Sequence, residues 1–241
     1  MPDVRLATFN THYGVVAVRQ PPRRRYDLIG ALGALEADII VVQETMRPDG
    51  TAGDVDAFAT AGGYDLHFAL VGRTTLRTRW PRITPDGEGT SGISVLSRLP
   101  CRRLDDIVLG PTLGDPSPQR VALHVEVDVG RRPLHVVGVH ITSRLPHGPP
   151  IQLQRLARAL PPPGTPAVVA GDCNFWGPPV TALLRGWRRA VTGRTWPARA
   201  PHSQIDHVLV RPADVQVLDG AVLPDTGGSD HRPVRAVLRV P

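Results

Sequence analysis

The sequence has no lysine: all 28 of its basic side chains are arginine, against 22 acids, for a formal net charge of +6. That excess favours a polyanionic partner such as nucleic acid. Arginine-only usage beside 24 glycines and 26 prolines also marks a bias of the whole chain, which weakens the inference. Cysteine is scarce too. Cys101 and Cys173 have no CxxC spacing and fit reduced thiols in a cytoplasmic protein. No apolar run reaches the length needed to cross a bilayer. The opening "MPDVRLATFN" is neither a basic leader nor a secretory apolar core, so no targeting segment is expected. A Walker-type glycine-rich loop is missing, which argues against nucleotide cradling of that kind. A GxSxG elbow is missing as well, which argues against acyl hydrolysis through it. Internal repeats are absent, and the Pro-rich pieces at 146–150 and 161–166 are only loop-length. The chain therefore reads as one domain over residues 1–241.

What is present alternates between strand-like and helix-like runs. Strands are expected at 4–9, 38–44, 92–98, 120–129, 133–140, 166–172, 205–211 and 233–240. In "RVALHVEVDV" the valines and Leu123 alternate with polar residues, so one face is buried and the other more open. Helices are expected at 26–37, where Leu28, Leu32 and Leu35 have helical spacing, at 151–160 before three prolines, and at 180–187. Many strands with few short helices imply a sheet-dominated α/β domain. Two arginine clusters, "PPRRRY" (21–26) and "RTTLRTRWPR" (73–82), read as solvated loops; the second holds an aromatic and is the better nucleic-acid candidate.

The strands share a habit of ending on polar residues. "VRLATFN" ends on Asn10, "DIIVVQE" on Glu44 and "PLHVVGVH" on His140. "VVAGDCN" ends on Asp172 and Asn174, which extended geometry points to one side, with Cys173 on the other. "SQIDHVLV" carries Asp206, and "GGSDHRPV" presents Asp230 and His231 just before the last strand. Strand ends brought to one sheet edge form a ligand site in open α/β sheets. Carboxylate and amide oxygens suit Mg2+ or Mn2+, whereas zinc calls for more His or Cys. Histidines beside carboxylates donate to a phosphate oxygen or shuttle protons. Metal-assisted attack of water on phosphorus fits this set best.

The succession "TFN", "VVQET", "GISVLSR", "VVGVH", "VVAGDCN", "IDHVLV" and "GGSDHRPV" resembles the endonuclease/exonuclease/phosphatase (DNase I-like) superfamily, from Leu6 to Val237. The resemblance implies a four-layered α/β sandwich, with two packed mixed β-sheets flanked by helices. It implies that Glu44 is the principal ligand of Mg2+ (or Mn2+), with Asn10 assisting and Asp230 as an outer or second ligand. By the same resemblance Asp172 orients or deprotonates the attacking water, and Asn174 holds nucleophile and phosphate. His231 would contact the scissile phosphate with its ring fixed by Asp206. His140 resembles an additional histidine of the DNase I, sphingomyelinase and phosphatase branches and counts against an abasic-site endonuclease. Arg120 resembles a phosphate-binding arginine, although an arginine at a strand start is often just solvated.

Other residues carry plainer expectations. His207 reads as a packing or surface histidine, and His12, His67, His124, His135, His147 and His202 as incidental. Trp196 is either near the substrate or a loop anchor. Cys173 is a small core hydrophobe. Three functions stay open: first, and favoured by the basic charge, a phosphodiesterase or nuclease acting on DNA or RNA by in-line water attack; as the alternative, a hydrolase of a smaller phosphoester such as a phospholipid head group, inositol phosphate, nucleotide or biosynthetic intermediate; third, a non-enzymatic or repurposed member of the fold. The region between Glu44 and Gly92 is expected to hold substrate-specific loops. A small-molecule enzyme would close it over a pocket; a nuclease would leave an open basic groove. Oligomeric state is not readable from these features.

Overall fold

A computed structural model describes residues 3–17, 24–77, 81–118, 120–224 and 227–240. Residues 21–23 of the first arginine cluster and residues 78–80 of the second lie outside these ranges. The strands in chain order are β1 (Asp3–Asn10), β2 (Ile39–Pro48), β3 (Asp65–Thr75), β4 (Arg82–Ile83) and β5 (Gly89–Ser97), then β6 (Cys101–Arg103) and β7 (Ile107–Val108). They continue with β8 (Val121–Val127), β9 (Leu134–His140), β10 (Ala167–Asp172), β11 (Arg188–Arg189), β12 (Asp206–Val210), β13 (Gln216–Val222) and β14 (Val234–Arg239). The α-helices are α1 (Leu28–Gly33), α2 (Asp54–Gly62), α3 (Gly148–Ala159) and α4 (Gly177–Leu183).

One sheet has the order β13-β14-β1-β2-β5-β3-β4, and the other β11-β12-β10-β9-β8-β6 with β7 beside β8. Both are mixed: β1 and β2 are parallel, as are β9 and β10, among antiparallel neighbours. Apolar alternation explains the layering. Val4, Leu6, Ile39 and Val41 of the first sheet share a core with Val136, Val168, Ala170 and Val208 of the second. The opposite face of the first sheet, with Ala7, Phe9, Ile40 and Val42, packs on α1 and α2. Val137, Val139, Val169 and Leu209 of the second sheet pack on α3 and α4. The result is the expected four-layered sandwich of two mixed sheets flanked by helices. Among the described residues, no helix is long and apolar enough to cross a membrane.

Several local expectations are corrected. Helix α3 starts at Gly148 and α4 at Gly177, each with proline in its first two positions. Proline lacks the N–H that the first turn leaves unpaired, so the Pro-rich piece at 146–150 opens α3, whereas the piece at 161–166 stays a loop. Helix α1 is shorter than its leucine spacing implies and ends at Gly33. Much of the region between Glu44 and Gly92 is regular structure, since β2 runs on to Pro48 and α2 and β3 follow. Strand β13 went unread because it is largely exposed and kinked between Val217 and Asp219, so it shows no buried alternation.

Candidate active site

Asn10, His140, Asp172 and Asp206 each extend the row of side chains that faces the inter-sheet core. In β10, Val168 and Ala170 belong to that core and Asp172 is next in phase. Cys173, one step on, is fully buried on the helix side with Val169, as alternation expects. Gly171 before it has φ +146, and a Cβ there would meet the Val139 carbonyl oxygen at 2.0 Å. Only glycine lets β10 reach Asp172 this close to β9.

Glu44 arrives by a different route. Ile40 and Val42 face the helix layer, so strict alternation would send Glu44 there as well. The register of β2 against β5 slips between Val42 and Thr45, and Glu44 adopts a left-handed φ of 56°. This bulge re-aims the side chain. Its Oε1 lies 3.5 Å from Asn10 Nδ2 and 3.8 Å from His140 Nε2.

Asp172 is the hub. Its Oδ1 accepts the Asn174 backbone N–H at 2.8 Å and its Oδ2 accepts Asn10 Nδ2 at 3.0 Å. His140 Nε2 and His231 Nε2 each lie 3.8 Å from that Oδ2. His231 Nδ1 is 2.9 Å from Asp206 Oδ2, so Asp206 fixes the ring as expected. The backbone is pinned too: Ser229 Oγ donates to the Asn10 carbonyl at 2.6 Å and accepts the His231 N–H at 3.1 Å. Asn174, with φ 45°, donates Nδ2 to the Ile141 carbonyl at 2.9 Å, which fixes its amide plane. Asp230 sits at the rim, accepting from Trp196 Nε1 at 3.3 Å, so Trp196 packs beside the site.

Burial sets the electrostatics. It raises the Glu44 carboxyl to about 8, with the charges of Asp230 and Asp172 adding to the effect against His231 and Asn10. It raises Asp172 as well, against the pull of His231. It lowers His140 to about 4, so this ring is neutral near pH 7. At His231 burial pulls downward, but Asp206 and Asp172 outweigh it and hold the ring well above its usual range. The two histidines are therefore driven apart, one neutral and one cationic, the pattern of a divided acid–base pair.

The donor set fits a hard cation. Glu44 Oε2 is buried without a hydrogen-bond partner among the described residues, in a carboxyl that burial first and the neighbouring Asp230 and Asp172 next hold above its ordinary range. Asp172, Asp206 and His231 also offer ligand atoms within 4.8 Å of one another. There, however, Asp206 is committed to His231 Nδ1, so the Glu44 side is the better seat. Asn10 stands beside the seat: its amide oxygen accepts the His12 N–H at 3.1 Å and its NH2 faces the carboxylates.

Arg120 lines the pocket beside Glu44 and His140. It is neither solvated nor a free cation, being 5% exposed and paired through two nitrogens with the buried Asp115. It also donates to the His140 carbonyl at 3.2 Å, so it braces the end of β9. His207 is fully buried, with Nε2 on the Phe175 carbonyl at 3.0 Å, which makes it a packing histidine. His12, expected to be incidental, is buried with Nδ1 3.0 Å from the Val15 carbonyl oxygen. With Tyr13 it forms a turn of positive φ at 46° and 58° that lines a pocket beside Glu44 and His140. The signal lay in its place two residues after Asn10.

A model described as the endonuclease/exonuclease/phosphatase family matches residues 7–231. The chain belongs to that family. Members of the endonuclease/exonuclease/phosphatase family are generally metal-dependent phosphoester hydrolases. The fold is similar to an endonuclease/exonuclease/phosphatase from Beutenbergia cavernae DSM 12333, at 23% identity over 99% of this chain and 72% of that one, with a TM-score of 0.78. It is also similar to the human Nocturnin catalytic domain with bound sulfate anion, at 14% identity over 99% and 95% of the two chains, with a TM-score of 0.67. A mannosyl-6-phosphatase from Bacteroides thetaiotaomicron VPI-5482 aligns at 17% identity over 98% and 99%, with a TM-score of 0.64. At such identities the likeness is one of fold. No curated protein matches the sequence.

Proposed function

We propose that this chain is a phosphoester hydrolase that works with one divalent cation, Mg2+ or Mn2+, held at Glu44 with Asp230 as an outer ligand. The observation that carries the reading is the convergence of Asn10, His140 and His231 on Asp172 at the mouth of the inter-sheet core, with Glu44 beside Asn10 and His140. A bound cation supplies Lewis-acid polarisation of a phosphoryl oxygen. Asp172, held by Asn10 and the Asn174 N–H, orients water for in-line attack and takes its proton. His231, fixed by Asp206, donates Nε2–H to a phosphoryl oxygen as charge develops, and neutral His140 donates from the other side. Asn174 holds the nucleophile and phosphate beside them. Arg120 keeps His140 in place through the main chain. Residues 1–241 act as one catalytic domain, and the free thiols Cys101 and Cys173 fit a reducing, cytoplasmic setting.

The test is hydrolysis of 4-nitrophenyl phosphate and bis(4-nitrophenyl) phosphate with Mg2+ or Mn2+, with EDTA and Asp172→Asn as controls. Metal-dependent turnover lost in both controls is the expected result; turnover that survives either control would overturn the reading.

Nucleic acid is the second substrate reading. The net charge of +6 favours it, as does Trp176, 50% exposed two residues after Asn174 and beside Arg189 and Arg194. Nicking of supercoiled plasmid under the same conditions checks it.

A further inference from the structure

Next to Glu44 and His140 lies a pocket of about 250 Å³. It is smaller than the roughly 300–1,000 Å³ typical of drug-sized ligands, so it suits a compact group. Its walls come from both sheets: Arg82 is on β4 at the edge of the first, and Arg144 follows β9 of the second. Glu44 is its only acidic lining residue among the described residues, and in the proposed mechanism that carboxylate faces the cation.

The arginines around this pocket are not equivalent. Arg120 is neutralised by Asp115. Arg73 is paired with Asp49 and Arg77 with Glu88, in the same stretch that leads to Arg82. Arg82 and Arg144 are exposed and have no carboxylate partner among the described residues. Two unneutralised guanidinium groups facing one small polar pocket form a receptor for an anion with several oxygens. The scissile phosphate is already provided for by the cation seat, His140 and His231. A second anion is what remains to be bound.

We propose that Arg82 and Arg144 form a subsite for a second anionic group, and that the substrate is a compact phosphoester carrying one, such as a small bisphosphate. This rests on the phosphoester reading above and adds the substrate class. It also explains why Arg82 and Arg144 line the pocket from opposite sheets: one anion with several oxygens is gripped across the sheet boundary.

Binding tests the subsite without requiring turnover. Metal-free protein is titrated calorimetrically with fructose 1,6-bisphosphate and with fructose 6-phosphate as probes. The bisphosphate is expected to bind the wild-type chain at least about tenfold more tightly. In the Arg82→Gln/Arg144→Gln double variant that preference should fall to about twofold or less, while Arg82→Lys/Arg144→Lys should retain part of it. A control pair, Arg131→Gln/Arg132→Gln in the turn between β8 and β9, should keep the full preference. Equal affinities in the wild type, or a preference that persists in the glutamine variant, overturn the subsite. A preference lost equally in the control pair also overturns it, because diffuse charge would then suffice. Melting curves check that each variant folds. A 5′-phosphorylated dinucleotide run in parallel separates the sources: a larger arginine-dependent gain for it than for the sugar bisphosphate overturns the small-molecule assignment in favour of a nucleic-acid backbone. Failure of nitrophenyl hydrolysis, by contrast, strikes the catalytic reading alone.

Discussion

His231 Nδ1 lies 2.9 Å from one oxygen of Asp206 and 3.1 Å from the other, and both residues are buried. The contact fixes the ring's orientation, so that Nδ1–H donates to Asp206 and Nε2 points to Asp172. Asp206→Asn keeps the shape but removes the charge. Turnover is expected to fall about a hundredfold or more, and to a similar extent in His231→Ala. Steady-state kinetics beside a melting curve checks this; near-normal turnover in either variant rejects the assigned roles.

Asp172→Asn separates chemistry from architecture. The new amide oxygen still accepts from Asn10 or from the Asn174 N–H, so the fold should survive. The proton acceptor is gone, and activity should drop by roughly a hundredfold or more. A variant that loses its melting transition along with activity would instead make Asp172 a structural residue.

Glu44 is expected to couple metal to stability. Adding Mg2+ or Mn2+ should raise the melting temperature of the wild-type protein, because an ion that binds only the folded state stabilises it by mass action. Glu44→Gln should abolish most of that rise. An unchanged metal-dependent shift would place the cation elsewhere.

His207 gives a pH dependence away from the site. Burial lowers its pKa to about 4, from 6.5 in the unfolded chain. Between those values the unfolded state binds more protons, so stability is full above pH 6.5 and is lost as pH falls toward 4. The shift corresponds to about 3 kcal/mol at most. His140 is lowered to about 4 as well and contributes to the same limb. The informative quantity is therefore the difference in slope: denaturant unfolding of His207→Gln should depend less on pH over this window. Parallel slopes would contradict the assignment.

Gly171→Ala probes the close approach of β10 to β9. Its Cβ would lie 2.0 Å from the Val139 carbonyl oxygen, at a φ of +146 that disfavours any side chain. A loss of at least ~2 kcal/mol is expected from thermal or urea unfolding. A loss within experimental error would show that the strands can separate freely there.

The inward rows were legible in the sequence. Val168, Ala170 and Asp172 share a parity, as do Asp206, Val208 and Val210, and parity alone assigns a face. Short-range periodicity is a property of the backbone, so Asn10, His140, Asp172 and Asp206 could be read as a set before any packing was known. The two-sheet sandwich was implied by the family resemblance of the motifs, whereas alternation alone put Cys173 on the opposite face. Edge strand β13 did not follow, because an exposed strand leaves no apolar rhythm.

Tertiary structure decided the rest. By parity Glu44 belongs to the helix side, and only the bulge against β5 turns it toward Asn10 and His140. Arg120 gained a buried partner when the chain folded Asp115 onto it, while Arg82 and Arg144 line the pocket with no carboxylate partner among the described residues. A bulge depends on the register of a partner strand, and the charge of an arginine depends on which carboxylate reaches it. The bulge is set by contact between distant parts of the chain, and the Arg120–Asp115 pair by the way a loop folds over five residues; sequence periodicity encodes neither.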